Sequence, residues 1–192
     1  MQDLRSRLLE HALPLVPFTG WTDHTLRDAA ERAGLDDFSV KRAFPGGAAA
    51  MLDYFFTQAD ETLARSLPEA ELAAKRMPER IEALILARLA YWLPHREAVR
   101  RAVAMRTLPW KLAHASTSLY KSVDLMWRIA GDKSTDFSFY TKRMTLAALY
   151  SSTLLFWLND ESEAQADTHA FLLNRLQNIA DFGKWKKKWK SG

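Results

Sequence analysis

The sequence predicts an all-α protein, on three observations. Apolar residues recur at steps of three and four along most of the chain, with almost no strand-like alternation. Most prolines and glycines fall between those periodic stretches, where they stop helices. At 192 residues with 48% hydrophobic content, the chain suits one domain, or one with a small appended module, and has ample material for a core.

Leu4, Leu8, Leu9, Leu13 and Val16 mark a first helix from Met1 to about Val16. Gly20 and Thr22 turn the chain. Thr25 is placed to cap a helix through Ala33, which Gly34 ends. A short helix near Asp37–Phe44 stops at Pro45-Gly46-Gly47, and a longer one runs from about Ala48 to Ser66. Pro68 and Pro78 bracket a polar connection. Further helices are expected near Pro78–Leu93, His95–Thr107, Lys111–Ala130, Ser138–Leu158 and Ala166–Trp189. Pro94 and Pro109 separate three of them. The span Met144–Leu158 has no charge and is apolar nearly all round, which predicts deep core or the wall of an apolar cavity.

Several function classes find no support. There is no Cys, so no disulfide framework, thiolate metal site or cysteine nucleophile. His11, His24, His95, His114 and His169 have no Glu or His partner at metal-ligand helical spacing, and no Glu-x-x-His pair suggests a di-iron bundle. GxSxG, GxGxxG and P-loop motifs are missing. Asp132 and Asp136 are four residues apart, and their place at a helix start argues for capping before acid–base work. No catalytic residue, metal or cofactor is therefore expected. No apolar run reaches the ~20 residues needed to cross a bilayer, and Met1–Phe18 is too charged for a signal peptide.

The net charge is +4, yet five lysines crowd the last ten residues, GKWKKKWKSG. Setting them aside leaves the rest of the chain at a net −1. A nucleic-acid-binding face needs clustered Lys and Arg, which the body does not supply. On the final helix, Leu172, Leu176, Ile179, Phe182, Trp185 and Trp189 fall on one face. Lys184, Lys186, Lys187, Lys188 and Lys190 fill the other face near its end. Leu172 to Ile179 reads as core packing. Phe182, Trp185 and Trp189, with Lys186, Lys187 and Lys188, read as an interfacial membrane helix, with about 1 kcal/mol of attraction per Lys at an anionic surface. The alternative is a solvated tail.

LRDAAERAGL, Leu26 to Leu35, with Phe44 and Met51-Leu52, resembles the helix-turn-helix of TetR-type regulators. The resemblance implies a TetR-like helical fold and would make Asp36 to Ala43 the recognition helix. Here Asp36 and Asp37 begin that helix, Lys41 replaces the family's usual Tyr, and Gly46-Gly47 replaces its phosphate-contacting Lys. Only the scaffold is expected to be kept.

The most specific segment is DLMWRIAGDKSTDFSFYTKRMTLAALYSSTLLFWLND. Asp124, Met126, Trp127, Ala130, Gly131, Asp132, Ser134, Thr135, Asp136, Phe137, Tyr140, Thr141 and Arg143 resemble, in order and spacing, the signature of the coenzyme-Q-nine family. These are lipid-binding accessory proteins of ubiquinone biosynthesis. Phe139 stands where the family's Trp-Tyr pair has Trp. The resemblance implies a non-enzymatic protein that binds an isoprenoid quinone precursor and presents it to the di-iron quinone hydroxylase. It places the hydroxylase contact at Met126, Trp127, Asp136, Phe139, Tyr140 and Arg143. The stripe Leu149, Tyr150, Leu154 and Trp157 is the candidate lipid wall. Residues 1–70 would form the TetR-like N-terminal unit, without DNA binding, and 71–192 the lipid-binding domain with its membrane helix. The TetR likeness also implies a homodimer. The expected location is cytoplasmic, peripheral on the inner membrane, or on the mitochondrial matrix side where a transit peptide has been removed. The alternatives are a TetR-class regulator whose apolar pocket is the same cavity and, third, an enzyme.

Overall fold

The computed structural model describes residues 2–106, 112–135 and 137–190, with side chains described for these apart from 2, 106, 112–115, 137 and 182–190. Among the described residues there are eleven α-helices and no strand: α1 Gln2–Ala12, α2 Val16–Thr19, α3 Asp23–Arg32, α4 Asp37–Ala43, α5 Gly47–Ser66, α6 Glu69–Ala73, α7 Met77–Trp92, α8 Arg96–Arg106, α9 Leu112–Ile129, α10 Phe137–Trp157 and α11 Ala166–Lys190. The chain forms two compact units, Met1–Thr62 with Tyr91–Ser118, and Leu63–Ala90 with Leu119–Gly192.

In the first unit α1 packs on α3, and α2 packs on α8. The first helix is shorter than its apolar spacing predicts. Pro14 has no N–H to continue the ladder, so the chain turns over Leu13–Leu15 and restarts as α2. Thr22, not Thr25, caps α3, accepting from the Thr25 amide at 3.2 Å. Thr25 is buried instead, and its hydroxyl bonds Gly20 O at 2.7 Å and the hydroxyls of Thr19 and Thr22, each at 2.8 Å. The core centres on Phe55, whose ring centroid lies 5.1 Å from Trp21 and 5.9 Å from Trp92. The Trp21 indole N–H donates to Ala98 O at 3.0 Å. Asp23 accepts from the Ala48 amide at 2.8 Å and so caps the start of α5. Gly47 there has φ 62°, and a Cβ would collide with the Asp23 carboxylate.

The second unit is built on α7, α9, α10 and α11. Ile81, Leu84, Ile85, Val123, Met126, Leu146 and Leu172 form its core. The polar connection between Pro68 and Pro78 contains a further short helix, α6. The Arg80 guanidinium satisfies three carbonyls at two helix ends, donating to Ala73 O at 3.0 Å and Lys75 O at 2.8 Å at the end of α6 and to Ala130 O at 2.9 Å after α9. Asp160 ties α10 to α11. It accepts from Ser162 N at 2.8 Å and Ser162 Oγ at 2.6 Å on one oxygen, and from Thr168 N at 2.8 Å and Thr168 Oγ1 at 2.5 Å on the other. Burial alone would raise its pKa, but the hydrogen bonds from Ser162 and Thr168 hold it far below the usual carboxylate range.

Sequence reading makes Met144–Leu158 uncharged and apolar nearly all round, and so deep core or the wall of an apolar cavity. The structure buries one face only. Tyr140 is 65% exposed and Met144 72% exposed, and Leu155 is exposed further along. The missing charge hid which side faces water, because only a polar stripe would have revealed it.

Candidate functional site

Two features of the second unit share one residue. The first is an apolar groove of about 180 Å³, bounded by all four main helices. Helix α7 supplies Met77, Pro78 and Ile81, α9 supplies Trp127, α10 supplies Thr145, Leu146 and Leu149, and α11 supplies Leu176, Ile179 and Ala180. Its one hydroxyl, Thr145 Oγ1, is spent on Thr141 O at 2.8 Å, as helical hydroxyls often are. A groove with no charged wall takes an apolar chain and gives a polar group nothing to bond. Ile179 is 39% exposed, so α11 leaves this wall accessible from solvent.

The second feature is an ion-pair knot beneath the start of α10. Asp132, whose side chain is 3% exposed, accepts from Lys142 Nζ at 2.7 Å, from Ser134 Oγ at 2.7 Å and from Arg143 Nη1 at 3.3 Å. Asp124 takes Arg143 Nε at 2.7 Å. Burial alone would raise the Asp132 pKa, but the Lys142 and Ser134 hydrogen bonds, the Lys142 charge and the Arg143 bond outweigh it and bring the pKa down to about 2. Asp132 is thus an ion-pair anchor, where its position in the sequence suggested a helix cap. Arg143, its side chain 4% exposed, lies face-on to Phe139, with the guanidinium carbon 3.4 Å from the ring centroid. Phe139 in turn meets Tyr140 edge to face at 5.2 Å. The indole N–H of Trp127 donates to Lys142 O at 3.1 Å, and Lys142 Nζ lies 5.7 Å from its ring centroid.

Of the residues assigned to partner contact, Tyr140 is exposed and Trp127 and Phe139 are half-buried. Met126 and Arg143 are buried, so neither side chain is open to a partner, and Arg143 lies beneath the Phe139 ring. Asp136 lies outside the described residues, as do the side chains of Phe182, Trp185, Lys186, Lys187, Lys188 and Trp189. Of the lipid-wall candidates, Leu149 lines the groove. Tyr150, Leu154 and Trp157 are buried away from it. The Tyr150 hydroxyl accepts from the buried Arg88 at 2.9 Å, and the Trp157 indole donates to Gln165 at 2.9 Å. Sequence reasoning missed the α7 wall, Met77, Pro78 and Ile81. Helical spacing assigns residues to faces, but nothing local says which helices meet. Among the described residues no set of His, Cys, Asp or Glu is grouped to hold a metal, and no helix is long and apolar enough to cross a membrane.

Residues 112–183 match the COQ9 family model. The human protein named "Ubiquinone biosynthesis protein COQ9, mitochondrial" is 34% identical across 99% of this chain and 62% of its own length. The protein of that name from Rattus norvegicus is 32% identical across 99% of this chain and 63% of its own. The chain therefore spans about three fifths of the curated relatives it matches. Among solved structures, a TetR transcriptional regulator from Nitrosomonas europaea superposes with a TM-score of 0.77 over 93% of this chain and 98% of its own, at 22% identity. That likeness concerns the fold, and it bears out the TetR-like, all-α architecture expected from Leu26–Leu35.

Proposed function

Because this chain is a homologue of the COQ9 proteins of ubiquinone biosynthesis along nearly its whole length, we propose that it serves that pathway as a lipid-binding accessory protein and not as an enzyme. It takes the tail of an isoprenoid quinone precursor from a membrane and presents the head to the di-iron quinone hydroxylase. The observation that carries this reading is an uncharged groove whose Trp127 wall is tied, through Lys142, to the ion-pair knot that carries Phe139 and Tyr140.

The mechanism is extraction. A polyprenyl tail is held in the bilayer by ~0.8 kcal/mol per buried methylene, so it leaves only for a comparable apolar environment. The basic, Trp-bearing end of α11 docks the protein on an anionic surface. The groove receives the tail, and the surface carrying Tyr140 receives the hydroxylase. The site of action is the inner membrane surface, on the matrix side in a mitochondrion, with the protein as a homodimer.

Transcriptional regulation is the reading that the TetR-like fold brings with it, and local charge opposes it. Asp36 caps α4 by accepting from the Ser39 amide at 2.9 Å, and Asp37 follows. Asp23 already occupies the start of α5. Carboxylates at both helix starts repel the phosphates that would have to sit there. Native mass spectrometry of the purified full chain, with extraction of whatever copurifies, tests the proposal. An isoprenoid lipid is expected, and Ile179→Arg should remove it without unfolding the protein, since that side chain reaches solvent. A lipid-free protein, or equal loading in Ile179→Arg, overturns the groove assignment.

A further inference from the structure

Trp127 lines the groove from α9, and its side chain also bonds across to the first half of α10. Its indole is half-buried with part of its surface in the groove. Its N–H reaches Lys142 O, and the Lys142 ammonium lies over its ring while bonding Asp132. Arg143, the next residue, shares Asp132 and carries Phe139 on its guanidinium, and Phe139 carries Tyr140. A continuous set of contacts therefore leads from the groove to the exposed aromatic surface, all inside one compact unit. We propose that Trp127 couples the two, so that an isoprenoid chain in the groove strengthens binding of the partner at Tyr140.

The physical basis is order. With the groove empty, the indole lacks packing on one side and is held by its hydrogen bond and the Lys142 ammonium. An apolar chain against that side restricts the ring. The restriction keeps the N–H on Lys142 O and steadies the turns that carry Phe139 and Tyr140. A partner that must order those turns then finds the cost already met, which gives positive cooperativity without a change of fold. Coupling of this kind is reciprocal, so the bound partner must tighten the lipid by the same factor. Functionally, the hydroxylase would favour loaded protein over empty protein, and delivery would not be wasted on empty carriers.

This inference rests on the lipid and hydroxylase reading above, and the experiment separates the two. Farnesol serves as the groove probe with the full chain. Its binding is measured by calorimetry, amide hydrogen exchange is followed over residues 138–146, and hydroxylase affinity is measured with and without it. In the unaltered protein farnesol should slow exchange in that segment and tighten the hydroxylase about fivefold or more, the low end of ordinary coupling. Trp127→Phe keeps an apolar ring in the groove and removes the N–H. With its groove saturated, whatever its own farnesol affinity, it should show neither effect; a merely structural role for Trp127 would weaken both affinities and leave their ratio intact. Trp127→Leu, which has no donor, is the second variant if the first does not fold. Farnesol binding with unchanged hydroxylase affinity overturns the coupling alone. Undiminished coupling in either variant overturns the role of Trp127. Failure of farnesol to bind at all overturns the tail reading, and this inference with it.

Discussion

Asp132→Asn makes the sharpest test of how the start of α10 is held. The carboxylate is buried and receives two cationic side chains and one hydroxyl. An amide is nearly the same size, but it carries no charge and turns an NH2 group toward Lys142 or Arg143. Removing one partner of a buried ion pair costs about 3–5 kcal/mol. Here Arg143 keeps Asp124, and Lys142 is partly exposed and can turn to water. The expected loss is therefore about 2–3 kcal/mol, in line with hydrogen bonds to charged groups, or roughly 5–10 °C in melting temperature for a chain of this size. The loss must also depend on pH. The folded pKa is depressed from 3.8 to about 2, so this carboxylate's contribution is fully present above pH 3.8 and disappears as pH falls through about 2. That shift corresponds to about 2 kcal/mol, the same order as the mutational estimate. Urea unfolding of both proteins at pH 7 and pH 3 should show the gap narrowing on acidification. A gap below about 0.5 kcal/mol at pH 7, or one that does not narrow, would refute the claim that the knot is an electrostatic anchor.

Other expectations are simpler. Tyr140→Ala should weaken hydroxylase binding by ~2 kcal/mol or more, as an exposed aromatic anchor does, with the melting temperature unchanged; equal binding would move the surface elsewhere. Phe139→Lys, by contrast, would set an ammonium against the Arg143 guanidinium and should lower the melting temperature as well. Thr25→Val should cost about 1–3 kcal/mol in chemical unfolding, since it strips a buried hydroxyl from Gly20 O, Thr19 and Thr22. Trp185→Ser with Trp189→Ser should abolish co-sedimentation with anionic liposomes while far-ultraviolet dichroism stays unchanged, and retained binding would place the membrane contact elsewhere.

What the sequence made legible follows from the range of the forces involved. Helix ends at Gly34, Pro45 and Gly131 were readable because turn chemistry is local. Pro14 was equally local, yet the apolar run through Val16 masked it. The cap at Thr22 was displaced by three residues, since either threonine could serve and only the burial of Thr25 decides. Asp132 looked like one more cap because its partners, Lys142 and Arg143, reach it from the next helix. The groove was half legible. Leu149 came from a stripe on one helix, whereas Ile81 and Leu176 enter from helices far off in the chain. Tyr150 and Trp157 shared that stripe, but each has a polar partner, Arg88 and Gln165, that draws it into the core.

Gly131 reads from the sequence as a helix stop, and its φ of 87° agrees. Its neighbour adds a second demand. A Cβ at Gly131 would lie 3.2 Å from Arg80 Nη1, a nitrogen already bonded to Ala130 O at 2.9 Å, while its guanidinium also serves Ala73 and Lys75. Lysine cannot stand in, because one ammonium does not reproduce a planar fork aimed at three carbonyls. Position 131 thus answers both to its own backbone angle and to a residue fifty-one positions away. Among descendants of this chain, a lineage that loses the arginine should lose its need for the glycine's small size while keeping the need for its backbone freedom.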